Sequence, residues 1–483
     1  STVYGMGRGP GNLKTEIAQI EIAKSQKYLN NIDSMMYLIN RHFLPLYKKY
    51  LWGTNPFYYI AGKSKIHPTY IQTMLSDNTF NYSTVKDIVN NLKSIEKDHY
   101  NCFRPNEQVE LDSRGKKALK YYEKSIKIYI NVLGENHPDV AFAYNSIGCF
   151  YGAVVKNYNK AIEIKSDEAE PNWNKAITLL LKGDLEEGWK YYEWRWKKYN
   201  FSSEKRNFSQ PLWLGDFNIN KKIILIHTEQ GLGDSIQFSR YIELVEKLGA
   251  KVIFEVEDSL IKLMKYLKGN FDIVRKGEKL PFFDCHCPLL SLPNAFKTNI
   301  NSIPQNIPYI TKPSLPKKIW ENKLNQDNFN IGICWQGSSY SKDEGRSFSI
   351  KYFKNISKIK NVKLFSLQKN DGAEQLHSNF EEIKVINFGA DFDKEAAFLD
   401  TAVLMTKLDL IITVDTSIAH LAGSMGCKVW VLLQFIPDWR WMLDKKITPW
   451  YPSMKLFRQS KLNDWNGPFK QIENEIKSFI NSN

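Results

Sequence analysis

The run Glu229-Gln230-Gly231-Leu232-Gly233-Asp234-Ser235-Ile236-Gln237-Phe238-Ser239-Arg240-Tyr241 holds the most telling spacing in this chain. It follows the apolar run Ile223 to Ile226, and a helical pattern opens after it. A buried strand, a glycine turn and a helix N-terminus together make a platform for an anion or a sugar nucleotide. Gly231 and Gly233 let backbone approach such a ligand closely. Asp234 sits where a carboxylate reaches a bound hydroxyl. Group transfer onto a hydroxyl needs a base that takes the proton as the new bond forms, and Asp234 is the candidate. An aspartate ahead of a helix is equally an N-cap, and spacing alone leaves both readings open. Gln230 and Gln237, in the same run, are candidates for acceptor contact.

A second constellation is Asp415-Thr416-Ser417-Ile418-Ala419-His420-Leu421-Ala422-Gly423, after the apolar run Leu410–Val414. Thr416 and Ser417 offer hydroxyls and amides at a helix N-terminus, where the dipole favours a diphosphate. His420 lies one turn in and could point back at the ligand. Asp415 and Ser417 as plain caps, with His420 packed in its helix, is the competing reading. A third is Trp335-Gln336-Gly337-Ser338-Ser339, then Lys342, Asp343 and Arg346-Ser347. Here a strand ends in a small polar loop with two cations, Lys342 and Arg346, fit to neutralise a departing diphosphate. A solvated charged loop is the alternative. Gln368 reads as an ordinary strand-end glutamine. In Pro437-Asp438-Trp439-Arg440-Trp441 the tryptophans read as packing, with Arg440 kept as a contact candidate on the acceptor side.

Elements must position these residues. From about 221, strand-like runs Ile223–Ile226, Val252–Glu255 and Ile273–Val274 alternate with helical stretches. After a proline-bearing linker, Ile303 to Pro316, the runs Ile331–Trp335, Val362–Leu367, Lys384–Asn387, Leu410–Val414 and Val429–Leu433 continue the alternation. That pattern predicts parallel, doubly wound sheets in two Rossmann-like lobes, an α/β fold with a cleft between them. The lobes are expected at 201–316 (acceptor side) and 317–483 (nucleotide-sugar side), closed by an amphipathic helix from Phe469 to Ile480. An all-α part precedes them: a helical segment over 1–103, then 110–200. In the latter, Ala118, Tyr121, Asn145, Gly148, Tyr151, Tyr158, Ala161, Trp173, Ala176 and Gly183 alternate small and aromatic residues as tetratricopeptide-like repeats do.

At 483 residues, 43% hydrophobic and 13% aromatic, the chain supports two to four domains with sizeable cores. The net charge of +14 suits nucleotide phosphates or an anionic surface. No dense basic stripe with interleaved aromatics argues for nucleic acid. No run approaches the roughly 18 apolar residues of a membrane helix, and no leader pattern opens the chain. The expected compartment is the cytoplasm, including its inner membrane surface. The six cysteines are scattered, and Cys285-His286-Cys287 lacks the second pair that a zinc site needs. Reduced, buried thiols, no metal site and no cofactor are expected, with a nucleotide-diphosphate sugar as substrate.

The run Gly183-Asp184-Leu185-Glu186-Glu187-Gly188-Trp189 with Tyr192-Glu193-Trp194-Arg195-Trp196 resembles bacterial tetratricopeptide-repeat glycosyltransferases. So do Pro211-Leu212-Trp213-Leu214-Gly215, Glu229 to Tyr241, Phe283 to Pro293, Val414 to Trp441, Pro449-Trp450-Tyr451-Pro452 and Leu456-Phe457-Arg458-Gln459. The resemblance covers about residues 140–483. Through its two lobes this group is similar to the heptosyltransferases of lipopolysaccharide assembly, of GT-B architecture. The resemblance implies Asp234 as base and Asp415, Thr416, Ser417 and His420 as donor-binding turn and helix. It makes Lys342 or Arg346 the cation on the donor phosphates, and implies inverting, metal-independent transfer. It also implies a protein, glycan or lipid-carrier acceptor, with a possible protein partner through the repeats. Residues 1–103, with Gly5-Met6-Gly7-Arg8-Gly9-Pro10-Gly11-Asn12, Lys14-Thr15-Glu16 and His67-Pro68-Thr69-Tyr70, resemble the C-terminal end of hydroxymethylglutaryl-CoA lyase-type aldolases, without the catalytic barrel. Two rival readings follow: a non-catalytic repeat-based binding protein, and a docking partner of an aldolase.

Overall fold

The computed structural model describes residues 134–148 and 154–481, apart from 200, 315–321, 325–326, 339–344, 377–381, 395, 444 and 462, together with 41, 126 and 130. The aldolase-like motifs, Lys342, Cys102 and Cys149 therefore lie outside the described residues. The chain divides into two compact units, Ser1–Gly152 and Ala153–Asn483. In the first, helix α1 (Pro138–Gly148) buries Val140, Ala141 and Ala143.

The second unit opens with helices α2 (Val154–Ile164), α3 (Ala169–Lys182) and α4 (Leu185–Tyr192). Pro171 falls in the first turn of α3, where a missing N–H leaves no helical bond unmade. Gly183 stops α3 with φ +87°, and the N–H groups of Gly183 and Asp184 donate to the carbonyls of Leu180 and Leu179. The chain then doubles back. Gly188 lies so close to α3 that a Cβ there would meet Leu180 Cδ2 at 2.7 Å.

Two parallel sheets follow. In the first, β1 (Ile223–His227), β2 (Lys251–Val256), β3 (Asp272–Arg275) and β4 (Cys285–Pro288) lie in the order β3-β2-β1-β4. Its central strand reads as a continuous apolar run because both faces are covered. Helix α5 (Leu232–Phe238) leaves the end of β1 and buries Ile236 and Phe238. In the second sheet, β5 (Phe329–Cys334), β6 (Val362–Ser366), β7 (Val385–Ile386), β8 (Leu410–Val414), β9 (Val429–Leu433), β10 (Ile447–Thr448) and β11 (Tyr451–Arg458) take the order β10-β11-β9-β8-β5-β6-β7. Only β10 runs antiparallel. Helix α6 (Leu399–Met405) precedes β8, and α7 (Ser417–Ser424) follows it. Helix α8 (Asn466–Asn481) packs Phe469, Ile472 and Ile476 into the core that Ile331, Ile333, Leu364 and Ile412 form.

The doubly wound α/β expectation is met. Every run read as a strand from about 221 onward pairs in one of the two sheets. Cys285, Cys287, Cys334 and Cys427 are free thiols, and burial pushes those of Cys285 and Cys427 up to about 11. Among the described residues, no helix is long and apolar enough to cross a membrane.

Candidate functional site

Open parallel sheets bind ligands past the carboxyl ends of strands, where the strand order reverses. In the first sheet the order reverses between β1 and β4, and in the second between β5 and β8. The turn 228–234 leaves β1. The loop from Trp335 leaves β5, and the turn Asp415–Ser417 leaves β8. Topology therefore puts the candidate turns at the two switch points.

The two turns face each other. Helix α5 packs on α7, and Gly233 lies in that contact. A Cβ at Gly233 would lie 3.0 Å from His420 Cδ2, 3.4 Å from Ser417 Cα and 3.6 Å from Ser417 N. Asp234 uses its two oxygens differently. Oδ2 accepts the Gly231 N–H at 2.9 Å, which closes the first turn of α5. Oδ1 pairs with Arg440 Nη2 of the second lobe. Asp234 is thus not the N-cap, which is Gly231, but the third helical residue, whose carboxylate bonds back to the N-cap amide and across to Arg440. Burial raises its pKa above the usual carboxylate range, with Arg440 opposing and Asp438 adding to the rise.

Arg440 is held by three side chains. Nε donates to Gln237 Oε1 at 3.0 Å, Nη1 to Asp438 Oδ1 at 2.9 Å, and Nη2 to Asp234. Its guanidinium also lies 4.1 Å over the Trp439 ring. Gln230 turns away from this group. Its Nε2 donates to Tyr192 Oη at 2.8 Å, and its N–H to Ser203 Oγ at 2.8 Å.

Across the gap, Thr416 is the N-cap position of α7, and its Oγ1 lies 3.2 Å from Thr413 Oγ1. Ser417 is partly exposed beside it. Burial pushes the Asp415 carboxyl up to about 6, with Asp438 adding and Arg440 and Arg346 opposing. His420 is buried, its Nδ1 3.1 Å from Tyr451 Oη and its ring stacked 5.4 Å from Trp441. Burial, with Arg440 and Arg240, holds its pKa well below the usual histidine value.

Arg346 reaches the same turn, its Nη1 donating to the Asp415 carbonyl at 3.4 Å. Gly337 lies beneath that guanidinium, where a Cβ would meet Nη2 at 2.5 Å. Gln368 fixes the loop that carries Gly337. Its Oε1 accepts the N–H groups of Trp335 and Gln336 at 2.9 and 3.0 Å, and its Nε2 donates to the carbonyls of Gln336 and Asp371. The structure brings Gly231, Gly233, Asp234, Gln237 and Arg440 together, with Asp415, Thr416, Ser417, His420, Gly337 and Arg346 beside them.

Two features of this region went unmarked as site residues in the sequence. Asp438 is one, a second carboxylate on Arg440. Arg195 is the other. Its guanidinium sits at the β1–β4 switch point, bidentate on Glu229 and 2.8 Å from Ser291 Oγ. A side chain of the preceding helical part thus ties together the segments that follow β1 and β4. The string Tyr192-Glu193-Trp194-Arg195-Trp196 was the available signal. A cavity of about 380 Å³ lined by Trp213, Phe217 and Phe296 lies elsewhere, beside Ile219 ahead of β1. Among the described residues, no group of three or more His, Cys, Asp or Glu side chains is arranged to hold a metal ion.

No family model matches the chain. Protein FlbA of Caulobacter vibrioides is 23% identical over 338 residues, which are 65% of this chain and 56% of FlbA. The match thus spans little more than half of that relative. Among solved structures, the glycosyl transferase family 9 protein of Veillonella parvula aligns with TM-score 0.38 and 11% identity. That alignment covers 56% of this chain and all of that one. The ADP-heptose lipopolysaccharide heptosyltransferase II of E. coli aligns with TM-score 0.37 and 11% identity, over 53% and 98%. An O-GlcNAc transferase of Thermobaculum terrenum aligns with TM-score 0.21 and 12% identity, over 71% and 82%.

Proposed function

We propose that this chain moves a sugar from a nucleotide-diphosphate donor to an acceptor hydroxyl. One observation supports the reading: Gly233, beside Asp234 in the turn at the first sheet's switch point, packs against Ser417 and His420 of the α7 turn at the second's. In this proposal the donor diphosphate lies at Thr416 and Ser417, where free amides and the α7 dipole favour anions. Arg346 adds positive charge to the departing diphosphate. The acceptor hydroxyl approaches from the first lobe, and Asp234 takes its proton as oxygen attacks the anomeric carbon. Burial favours that role, because a carboxylate of raised pKa is a stronger base. Attack opposite the leaving group inverts the anomeric centre.

Heptose-like donors, a protein, glycan or lipid-carrier acceptor, a partner on repeats at 110–200 and action at the inner membrane surface are finer parts of this proposal. The test is transfer from a panel of ADP-, UDP- and GDP-sugars, paired with donor binding. Asp234→Asn should retain nucleoside diphosphate binding and lose turnover. Near-normal turnover by that variant removes Asp234 as base.

A further inference from the structure

We propose that Arg440 meets the donor's diphosphate and releases Asp234 in doing so, so that donor binding frees the base. This rests on the donor and base roles proposed above. With these partners, Asp234 is poorly placed to accept a proton. One oxygen takes the Gly231 N–H and the other is covered by Arg440. A carboxylate neutralised by a guanidinium is a weaker base than the same carboxylate alone. The arginine must move for Asp234 to act on a hydroxyl.

The way Arg440 is mounted permits that motion. Gln237 holds Nε from the first lobe, and Asp438 holds Nη1 from Arg440's own turn. Only Nη2 is committed to Asp234. A pivot about the two anchors carries Nη2 off the carboxylate without unseating the guanidinium. The turn that carries Arg440 also touches α7, since Trp441, the next residue, stacks on the His420 ring with centroids 5.4 Å apart. A diphosphate at the Ser417 turn outbids a single carboxylate for this fork, since it carries more charge and offers paired oxygens.

A second observation points the same way. Gln237 is fully buried, yet its Nε2 has no hydrogen-bond partner among the described residues. Its Oε1 is fixed by Arg440, so the idle donor is held in place beside the guanidinium. A phosphate oxygen arriving there would give that N–H the acceptor it lacks. Leaving a buried donor unmade is costly, which fits a group reserved for a ligand.

The experiment is a double-mutant cycle on nucleoside diphosphate binding, measured by calorimetry with ADP, UDP and GDP. Arg440→Ala should bind about tenfold more weakly than wild type, and Asp234→Asn about tenfold more tightly. The double variant should bind as weakly as Arg440→Ala, because the gain from losing Asp234 acts through the freed arginine. A gain that persists without Arg440 reflects plain relief of repulsion between Asp234 and phosphate, and overturns the proposal. So does wild-type affinity in Arg440→Ala. Circular dichroism melts establish that each variant folds. If the alanine variant does not fold, Arg440→Lys runs the same cycle, since an ammonium keeps charge but cannot hold all three partners. A wild-type chain that binds none of the diphosphates overturns the donor reading itself, a result distinct from binding that ignores Arg440.

Discussion

Arg195 and Glu229 meet as a buried bidentate pair, Nη2 2.7 Å from Oε1 and Nε 2.9 Å from Oε2, and so join the helical part to the first sheet. Glu193 and Ser291 complete the group, with Ser291 Oγ donating to Glu193 Oε2 at 3.0 Å. Removing Glu229 takes away the bidentate partner and leaves the buried guanidinium with Glu193 as its remaining carboxylate, its Nη1 3.1 Å from Oε1. Glu229→Ala should therefore lower stability by about 3–5 kcal/mol in urea unfolding. The double variant Arg195→Met with Glu229→Leu should cost less than the single one. A single variant that unfolds like wild type would place this pair in solvent rather than in the interior.

Gly233→Ala tests the contact between α5 and α7. The new methyl would press on His420 Cδ2 at 3.0 Å, and the backbone of Ser417 stands close behind. Neither neighbour moves easily: the His420 ring is stacked on Trp441 and tied to Tyr451. Overpacking of this kind costs about 1–3 kcal/mol. The cost should appear in the melting temperature, and nucleoside diphosphate binding should weaken with it, because the Ser417 turn is displaced. Unchanged affinity at reduced stability would separate the turn from the ligand.

The parallel sheets were legible because buried strands declare themselves as short apolar runs, and β1, β8 and β9 are such runs. Three strands escaped, among them the two-residue β10, too short to leave a pattern. β4 is four residues including a histidine, and His286 is buried beside Phe208. β11 carries Pro452 as its second residue, where no ladder bond is lost. The glycine turn, Asp234 and the Asp415–His420 turn were legible as local patterns. Their pairing was not, because Asp234 and Arg440 are 206 positions apart and nothing in either string names the other. The same holds for Arg195, whose partner Glu229 is 34 positions away. His420 shows the opposite limit, since only the packed structure reveals Tyr451 and Trp441 around its ring.

Asp415 should make the protein less stable as pH rises. Its folded-state pKa of about 6 lies above the ordinary aspartate value of 3.8, so the folded chain holds that proton more tightly than the unfolded chain. The contribution is full below about pH 4 and is lost as pH climbs through about 6. Burial is the main cause, Asp438 adds to it, and Arg440 and Arg346 oppose it. Asp415→Asn should remove this loss and gain on the order of 1–3 kcal/mol relative to wild type at pH 7. Urea unfolding at pH 4 and pH 7 measures it. An equal difference at both pH values would rule out titration of Asp415 as the source.

The histidine pair at the edge of the first sheet should tilt the same curve the other way. His227 Nε2 and His286 Nδ1 lie 3.3 Å apart, both buried, with Phe208 against both rings. Burial holds both pKa values below 6.5, His286 at about 4, and Arg206 lowers both further. Lys205 adds to this at His286, while His286, Arg195 and Lys276 add to it at His227. The folded state thus prefers the neutral rings. Their contribution is present above about pH 6.5 and lost as pH falls towards 4. His286→Gln should flatten the acid limb of the stability curve, recovering on the order of 1–3 kcal/mol at pH 4.5 relative to its cost at pH 7. Because Asp415 acts with opposite sign over the same interval, the two single variants should rotate the pH–stability curve in opposite directions. A variant that leaves the slope of the curve unchanged would mean that its site is solvated in the folded chain.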